Sequence, residues 1–186
     1  KYEKCIFKAE GYTQADATKK DALPFLYISM CLYEMSKVEK YNVDYPKAAR
    51  DAVKWAEKYR KKDKDKEFFH NYDDFWSEMN TVNFTAGENQ LDDPKGISKA
   101  KQIFDGMVGY YPENPGPWLM LALCQYKSNL NKEAELSVKE FDKVTLGLQA
   151  EQREKVEQAF GDVRTRAQAV ASLDAERARF GADAVA

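Results

Sequence analysis

The sequence predicts an all-α fold, specifically a right-handed α-solenoid of stacked helix-turn-helix units. Apolar residues recur at helical spacing in almost every segment, and the alternation typical of strands is nearly absent. Ala100 and Ala134 stand 34 residues apart, at equivalent places in consecutive units. Because one such unit cannot bury its apolar face alone, it stacks on its neighbours, and the resulting surface commonly binds other proteins.

The composition indicates a folded core without an overall positive charge. Hydrophobic residues make up 44% of the 186-residue chain, and 29 basic side chains stand against 31 acidic ones. A net charge of -2 gives no general attraction for phosphates, which argues against a nucleic-acid partner. The longest apolar run, residues 22–33, is too short to span a bilayer, so we expect no direct membrane insertion.

The first two helices are predicted from apolar spacing and capping signals. Residues 2–10 form a short amphipathic pattern that Gly11 should end. Thr18 and Asp21 resemble a capping box, which predicts a long second helix from there through Met35.

A third helix is expected over residues 46–62. Pro46 suits its first turn, and a run of alanines gives it a face of small residues for close contact. The charged residues 60–67 have mixed signs, so we interpret them as a solvated helix end and not as a basic patch.

The second half of the chain continues the helical pattern around one loop. Apolar stripes predict helices over residues 67–80 and 97–111, and the polar residues 81–96 are expected to form the one long loop. Two further helices follow, one opening on Trp118 and one containing Ala134.

The residues from Ala100 to Phe141 resemble the tetratricopeptide repeat family. Trp118 takes the place of the aromatic residue that opens the first helix of a unit, and Ala134 takes the place of the small residue in the second helix. Leu121 and Ala122 match the family's Leu-Gly pair.

The resemblance implies three divergent units and a C-terminal cap. The repeats cover residues 1–148, with units at about 19–62, 67–111 and 115–148, and residues 149–186 form a capping helix and a tail. The tail, residues 164–186, is rich in Ala and Arg and has little large apolar surface, so we expect it to be frayed or to order on a partner.

In this family the first helix of each unit lines an inner groove, so the resemblance implies a partner-binding groove that is apolar and rimmed by tyrosine. The candidate groove residues are Leu26, Met30, Tyr33, Leu119, Leu123 and Tyr126. None of them is the Lys, Asn or Arg that grips a peptide carboxylate in some family members. The alternative is that a neighbouring helix of the same chain, such as residues 149–163, covers these side chains.

Enzyme chemistry has little support, and we predict no catalytic residue, no metal site and no cofactor. Glu67 and His70 have the spacing of a di-iron ligand pair, but such a site needs a second histidine and the chain has one. Cys5, Cys31 and Cys124 lie in apolar helical patterns, which favours small buried thiols over a disulfide framework.

These observations predict a non-catalytic protein-protein interaction scaffold that binds a protein or peptide segment as part of a multi-protein complex. A resemblance in composition and in the enlarged first turn favours a bacterial envelope or secretion-related assembly in the periplasm or cell envelope, with the cytoplasm as the alternative. The rival hypothesis is an accessory or sensor repeat domain of a longer enzyme or regulator.

Overall fold

The computed structural model describes the backbone of residues 1–183 and the side chains of residues 1–169, and within this range it contains helices and no strand. The α-helices are α1 (Tyr2–Gln14), α2 (Leu23–Ser36), α3 (Ala48–Lys62), α4 (Asp73–Glu88), α5 (Ile97–Tyr110), α6 (Pro115–Lys127), α7 (Asn131–Leu146) and α8 (Ala150–Asp183). Single 3-10 turns lie at Glu39–Tyr41 and Phe69–Tyr72. The all-α prediction is confirmed; the solenoid arrangement and its handedness remain predictions.

The chain divides into two compact units. The first consists of residues 1–82 with Gly109–Tyr111, and the second of residues 83–108 with the chain from Pro112 onward. Helices α4 and α5 therefore contribute residues to both units. The predicted division into three repeats and a cap stays a prediction.

In the first unit, α2 packs against α1 and α3. The α3 face consists of the buried alanines Ala48, Ala52 and Ala56, which let the two backbones approach closely. Ser29 of α2 is fully buried, and its hydroxyl donates a hydrogen bond of 2.8 Å to the Ala52 carbonyl. The predicted small-residue face of α3 is thus the contact with α2.

The core of the first unit is a stack of aromatic rings around Trp76. Its indole lies nearly parallel to the Phe69 ring at 4.7 Å between centroids, with Tyr59 at 5.6 Å and Tyr110 at 5.9 Å. The indole nitrogen donates a 3.0 Å hydrogen bond to the Phe69 carbonyl. Because the ring is buried and its one polar atom is hydrogen-bonded, Trp76 is the central packing residue of this unit.

The second unit is built around α6, which packs against α7 and α8. Phe84 of α4 contacts Phe104 of α5 at 5.6 Å and Phe160 of α8 at 5.9 Å between ring centroids. Phe160 also lies directly over Gly116 in the first turn of α6, where a Cβ atom would approach the ring to 2.5 Å. The absence of a side chain at Gly116 therefore allows α8 to dock.

Replacing Gly116 with alanine is expected to lower the free energy of unfolding by about 1–3 kcal/mol, because the new methyl group overlaps the Phe160 ring. Urea unfolding checks this. In a Phe160→Ala background the same change should become neutral or favourable, since alanine favours helix. Equal losses in both backgrounds would contradict the docking contact.

Two of the predicted boundaries near the N-terminus are wrong. Helix α1 continues through Gly11 to Gln14, because Gly11 has no left-handed φ and its carbonyl accepts the Ala15 N–H. Thr18 does not cap α2; its hydroxyl donates to the Tyr12 carbonyl at 2.7 Å. Helix α2 instead begins at Leu23 and has a proline in its first turn.

The loop predicted over residues 81–96 is about half helical. Helix α4 extends to Glu88. Phe84 is held there by its ring contacts with Phe104 and Phe160. Gly87 leaves room for the Phe104 ring, which would lie 2.5 Å from a Cβ atom at that position. Residues 89–96 form the remaining connection. The segment was predicted to be a loop because it is polar and includes Gly87, Asp92, Asp93 and Pro94.

The charged segment over residues 60–67 is not wholly solvated as predicted. Asp63 is 5% exposed, and its carboxylate accepts hydrogen bonds from the Glu67 amide at 2.8 Å, the Phe68 amide at 3.2 Å and the Tyr59 hydroxyl. Burial first, and then the bond to Asp63, raise the pKa of Tyr59, so the hydroxyl stays protonated and donates. Asp63 therefore joins the end of α3 to the turn that follows.

The C-terminal segment is one helix, α8, which packs against α6 and α7. Arg164 pairs with Asp142 at 2.9 Å, and Ala167 is buried. The residues predicted to fray are helical up to Asp183, and the last three lie outside the described range.

Candidate functional site

Most of the predicted groove residues are covered by the chain itself. In the first unit Leu26 is fully buried and Tyr33 is 4% exposed. In the second unit Leu119 and Leu123 are fully buried, and Tyr126 is 9% exposed. Helix α6, which carries the second set, packs against α8, as the alternative interpretation expected. The burial favours packing as the role of these five residues, and their role in binding stays a prediction.

Met30 is the half-buried member of the set, and it opens on a cleft of about 510 Å³ in the first unit. Residues of α2 form one side of the cleft, and the other side is formed by the end of the 3-10 turn and the start of α4. We call it the acidic cleft, and its lining residues are Met30, Glu34, His70, Asn71, Tyr72, Asp73, Asp74, Phe75 and Glu78.

Helical spacing places the carboxylates of the acidic cleft. Glu34 follows Met30 by one turn of α2, so these two side chains share one face of that helix. Glu78 follows Asp74 by one turn of α4 and shares a face with it in the same way. Asp73 and Asp74 lie in the first turn of α4, where the helix dipole stabilises negative charge.

Lys37 joins the two helices at one end of the cleft. Its ammonium group lies 2.6 Å from a Glu34 oxygen and 2.8 Å from a Glu78 oxygen, and 4.2 Å from the centre of the Tyr33 ring. Burial alone would lower the pKa of Lys37, but the bonds to both glutamates outweigh it and raise the pKa. The cleft therefore already holds one ammonium group, between two carboxylates and an aromatic face.

The remaining charge of the cleft is negative. His70 Nδ1 lies 3.3 Å from an Asp73 oxygen, with both side chains largely exposed. Asp74 is exposed and makes no ion pair within the described residues. Lys37 compensates one of four carboxylates, so the cleft has an excess of negative charge beside the apolar side chains of Met30 and Phe75.

Of the predicted groove residues, only Met30 lines this cleft. Met30 and Tyr33 were chosen for their place on the first helix of a unit, but Glu34 was passed over although it follows Met30 by four residues. His70, which has the spacing of a di-iron ligand with Glu67, has a side chain that is 65% exposed. That Asp74 and Glu78 face α2 is a tertiary contact with no local signal in the sequence.

Metal binding and thiol chemistry are the two other site chemistries on which the described residues bear. Within the described residues, no group of three or more His, Cys, Asp and Glu side chains could hold a metal ion. Cys31 and Cys124 are buried as predicted, and burial raises the pKa of Cys124 to about 11, whereas Cys5 is half-buried.

No protein-family model, curated protein or solved structure matches this chain. Among the described helices, none combines the length and apolar character needed to cross a bilayer. The tetratricopeptide resemblance stays a prediction from the residues that carry it.

Proposed function

We propose that this chain is a non-catalytic, tetratricopeptide-like scaffold that binds a segment of a partner protein in the acidic cleft. The observation that carries the proposal is an open cleft of about 510 Å³ that contains Met30, a residue expected to line the binding groove. A protein with this role needs an accessible concave surface with both apolar and polar groups.

The charge of the cleft selects the chemistry of the partner segment. A Lys or Arg side chain beside Asp74 gains a carboxylate that has no ion pair among the described residues. An adjacent apolar side chain of the segment would bury the exposed parts of Met30 and Phe75. We therefore propose a basic residue next to an apolar one as the recognised feature, a match of charge and shape that sets specificity and association rate.

The arrangement around Lys37 supports this assignment. The two glutamates and the Tyr33 ring hold that ammonium at 2.6, 2.8 and 4.2 Å, which are distances typical of ion pairs and cation-π contacts. A partner cation in the rest of the cleft would meet the same kinds of group from Asp74, Asp73 and Tyr72.

A display library of random peptides, selected on the purified chain, tests the proposal. The enriched peptides are expected to share a Lys or Arg beside an apolar residue. Asp74→Lys should weaken their binding by about tenfold or more, because a favourable charge contact becomes a repulsive one. Fluorescence anisotropy at two salt concentrations measures this, and binding by the parent should weaken as salt rises.

Asp105→Lys is the matched control. Asp105 is an exposed residue of α5 that lines no part of the cleft, and the substitution changes the net charge by the same amount. Its binding should equal that of the parent. Equal weakening by both variants would show a general charge effect, and peptides without a basic residue would contradict the proposed recognition.

A further inference from the structure

One pair of carboxylates in the acidic cleft is already bound to a lysine of the chain itself. Lys37 directly follows α2, and its ammonium group lies 2.6 Å from a Glu34 oxygen and 2.8 Å from a Glu78 oxygen. The centre of the Tyr33 ring lies 4.2 Å from the same ammonium. Asp74 makes no ion pair among the described residues. The cleft therefore combines a filled cation place with an open carboxylate.

The filled place is exposed to solvent. The side chain of Lys37 is 35% exposed, and those of Glu34 and Glu78 are 43% and 54% exposed. Ion pairs of this kind contribute little to stability, because water competes for both partners. The ammonium of a lysine also sits on a flexible four-carbon stem, so it can move away while the helix stays in place. A cation of a partner can therefore compete with Lys37.

The open carboxylate and the filled place are separated by one turn of α4. Glu78 follows Asp74 by four residues, which is a rise of about 6 Å along the helix. In an extended segment, residues i and i+2 point to the same side and lie about 6.6 Å apart. Two basic residues with one residue between them would therefore match both places if Lys37 were absent.

We propose that Lys37 is a specificity-determining residue of the acidic cleft, which fills the place between Glu34 and Glu78 and so restricts recognition to one basic residue of the partner segment. This inference rests on the function proposed above and adds the number of positive charges that the cleft reads. Exchanging the Lys37 ammonium for that of a partner leaves the number of ion pairs unchanged. A second basic residue in the partner therefore adds little affinity while Lys37 is present.

Parallel selection of one random peptide library on the parent and on Lys37→Met tests the proposal. Peptides enriched on the parent should carry one Lys or Arg beside an apolar residue. Peptides enriched on Lys37→Met should carry two basic residues separated by one residue. Methionine keeps most of the length of the side chain and removes its charge, and circular dichroism checks that the variant remains helical.

Fluorescence anisotropy with two matched peptides gives the size of the effect. One is a peptide enriched on the parent with a single basic residue, and the other has a second lysine two positions away. The second lysine should change the affinity for the parent by less than about twofold, but raise the affinity for Lys37→Met by about three- to tenfold, because it gains two carboxylates. Lys37→Arg keeps the internal cation and should behave as the parent does.

Lys58→Met is the matched control for net charge. Lys58 is an exposed residue of α3 whose ammonium lies 4.0 Å from the centre of the Trp55 ring, and it lines no part of the cleft. This variant should discriminate between the two peptides as weakly as the parent.

The outcomes separate this inference from the function on which it rests. A second lysine that strengthens binding to the parent or to Lys58→Met as much as to Lys37→Met would overturn the role of Lys37 and leave the binding function intact. If the peptides enriched on the parent lack a basic residue, the proposed function fails and the role of Lys37 fails with it.

Discussion

Replacing Trp76 with alanine is expected to lower the free energy of unfolding by about 3–5 kcal/mol. Trp76 is 1% exposed and stacks on Phe69, with Tyr59 and Tyr110 also against its ring. Truncation opens a cavity among these rings and leaves the Phe69 carbonyl without the indole N–H. Urea unfolding followed by circular dichroism measures the loss.

Trp55→Ala is the matched control for this prediction. Trp55 belongs to the same unit but is half-buried, with Phe25 at 5.7 Å on one side and the Lys58 ammonium at 4.0 Å. Its truncation should cost about 1–2 kcal/mol, because water already reaches part of the ring. If Trp55→Ala destabilised the protein as much as Trp76→Ala, the stack would not be the core of the unit.

Replacing Asp63 with alanine is expected to cost about 3 kcal/mol or more. The change removes the acceptor for the amides of Glu67 and Phe68 and for the Tyr59 hydroxyl, which is itself fully buried. Leaving a buried donor unpaired costs about 1–3 kcal/mol for each group. Tyr59→Phe removes one donor and leaves the carboxylate with both amides, so its cost should be smaller.

Asp65→Ala provides the control within the same charged segment. Asp65 is exposed, and its loss should change the free energy of unfolding by no more than about 0.5 kcal/mol. Equal effects of the two substitutions in urea unfolding would contradict the joining role of Asp63.

The positions of the helices could be predicted from the sequence where periodicity and capping residues agree. Helix α5 was predicted within one residue, because its apolar stripe is regular and Pro112 follows its end. The predicted end of α1 at Gly11 was wrong, since glycine is compatible with helix where nothing forces a turn. The helical second half of α4 was missed because the contacts that hold it, from Phe84 to Phe104 and Phe160, are distant in sequence.

The candidate site shows the same limit. Apolar residues on the first helix of a unit serve equally for packing and for binding, so periodicity could not separate the half-buried Met30 from the fully buried Leu26. The charged segment over residues 60–67 contains exposed Asp65 and buried Asp63 two positions apart. Local hydrogen bonds distinguish them, because Asp63 accepts from the Tyr59 hydroxyl one helical turn earlier and from the amides of the turn that follows α3.

Methionine-methyl NMR of the chain with a selected basic peptide tests the binding proposal most directly. The chain has five methionines; Met30 lines the acidic cleft, whereas Met35, Met79, Met107 and Met120 are each no more than 2% exposed. We predict that the Met30 methyl resonance shifts as peptide is added, and that the shift is abolished by Asp74→Lys. A Met30 signal that stays unchanged while the peptide binds would contradict the acidic cleft as the binding site.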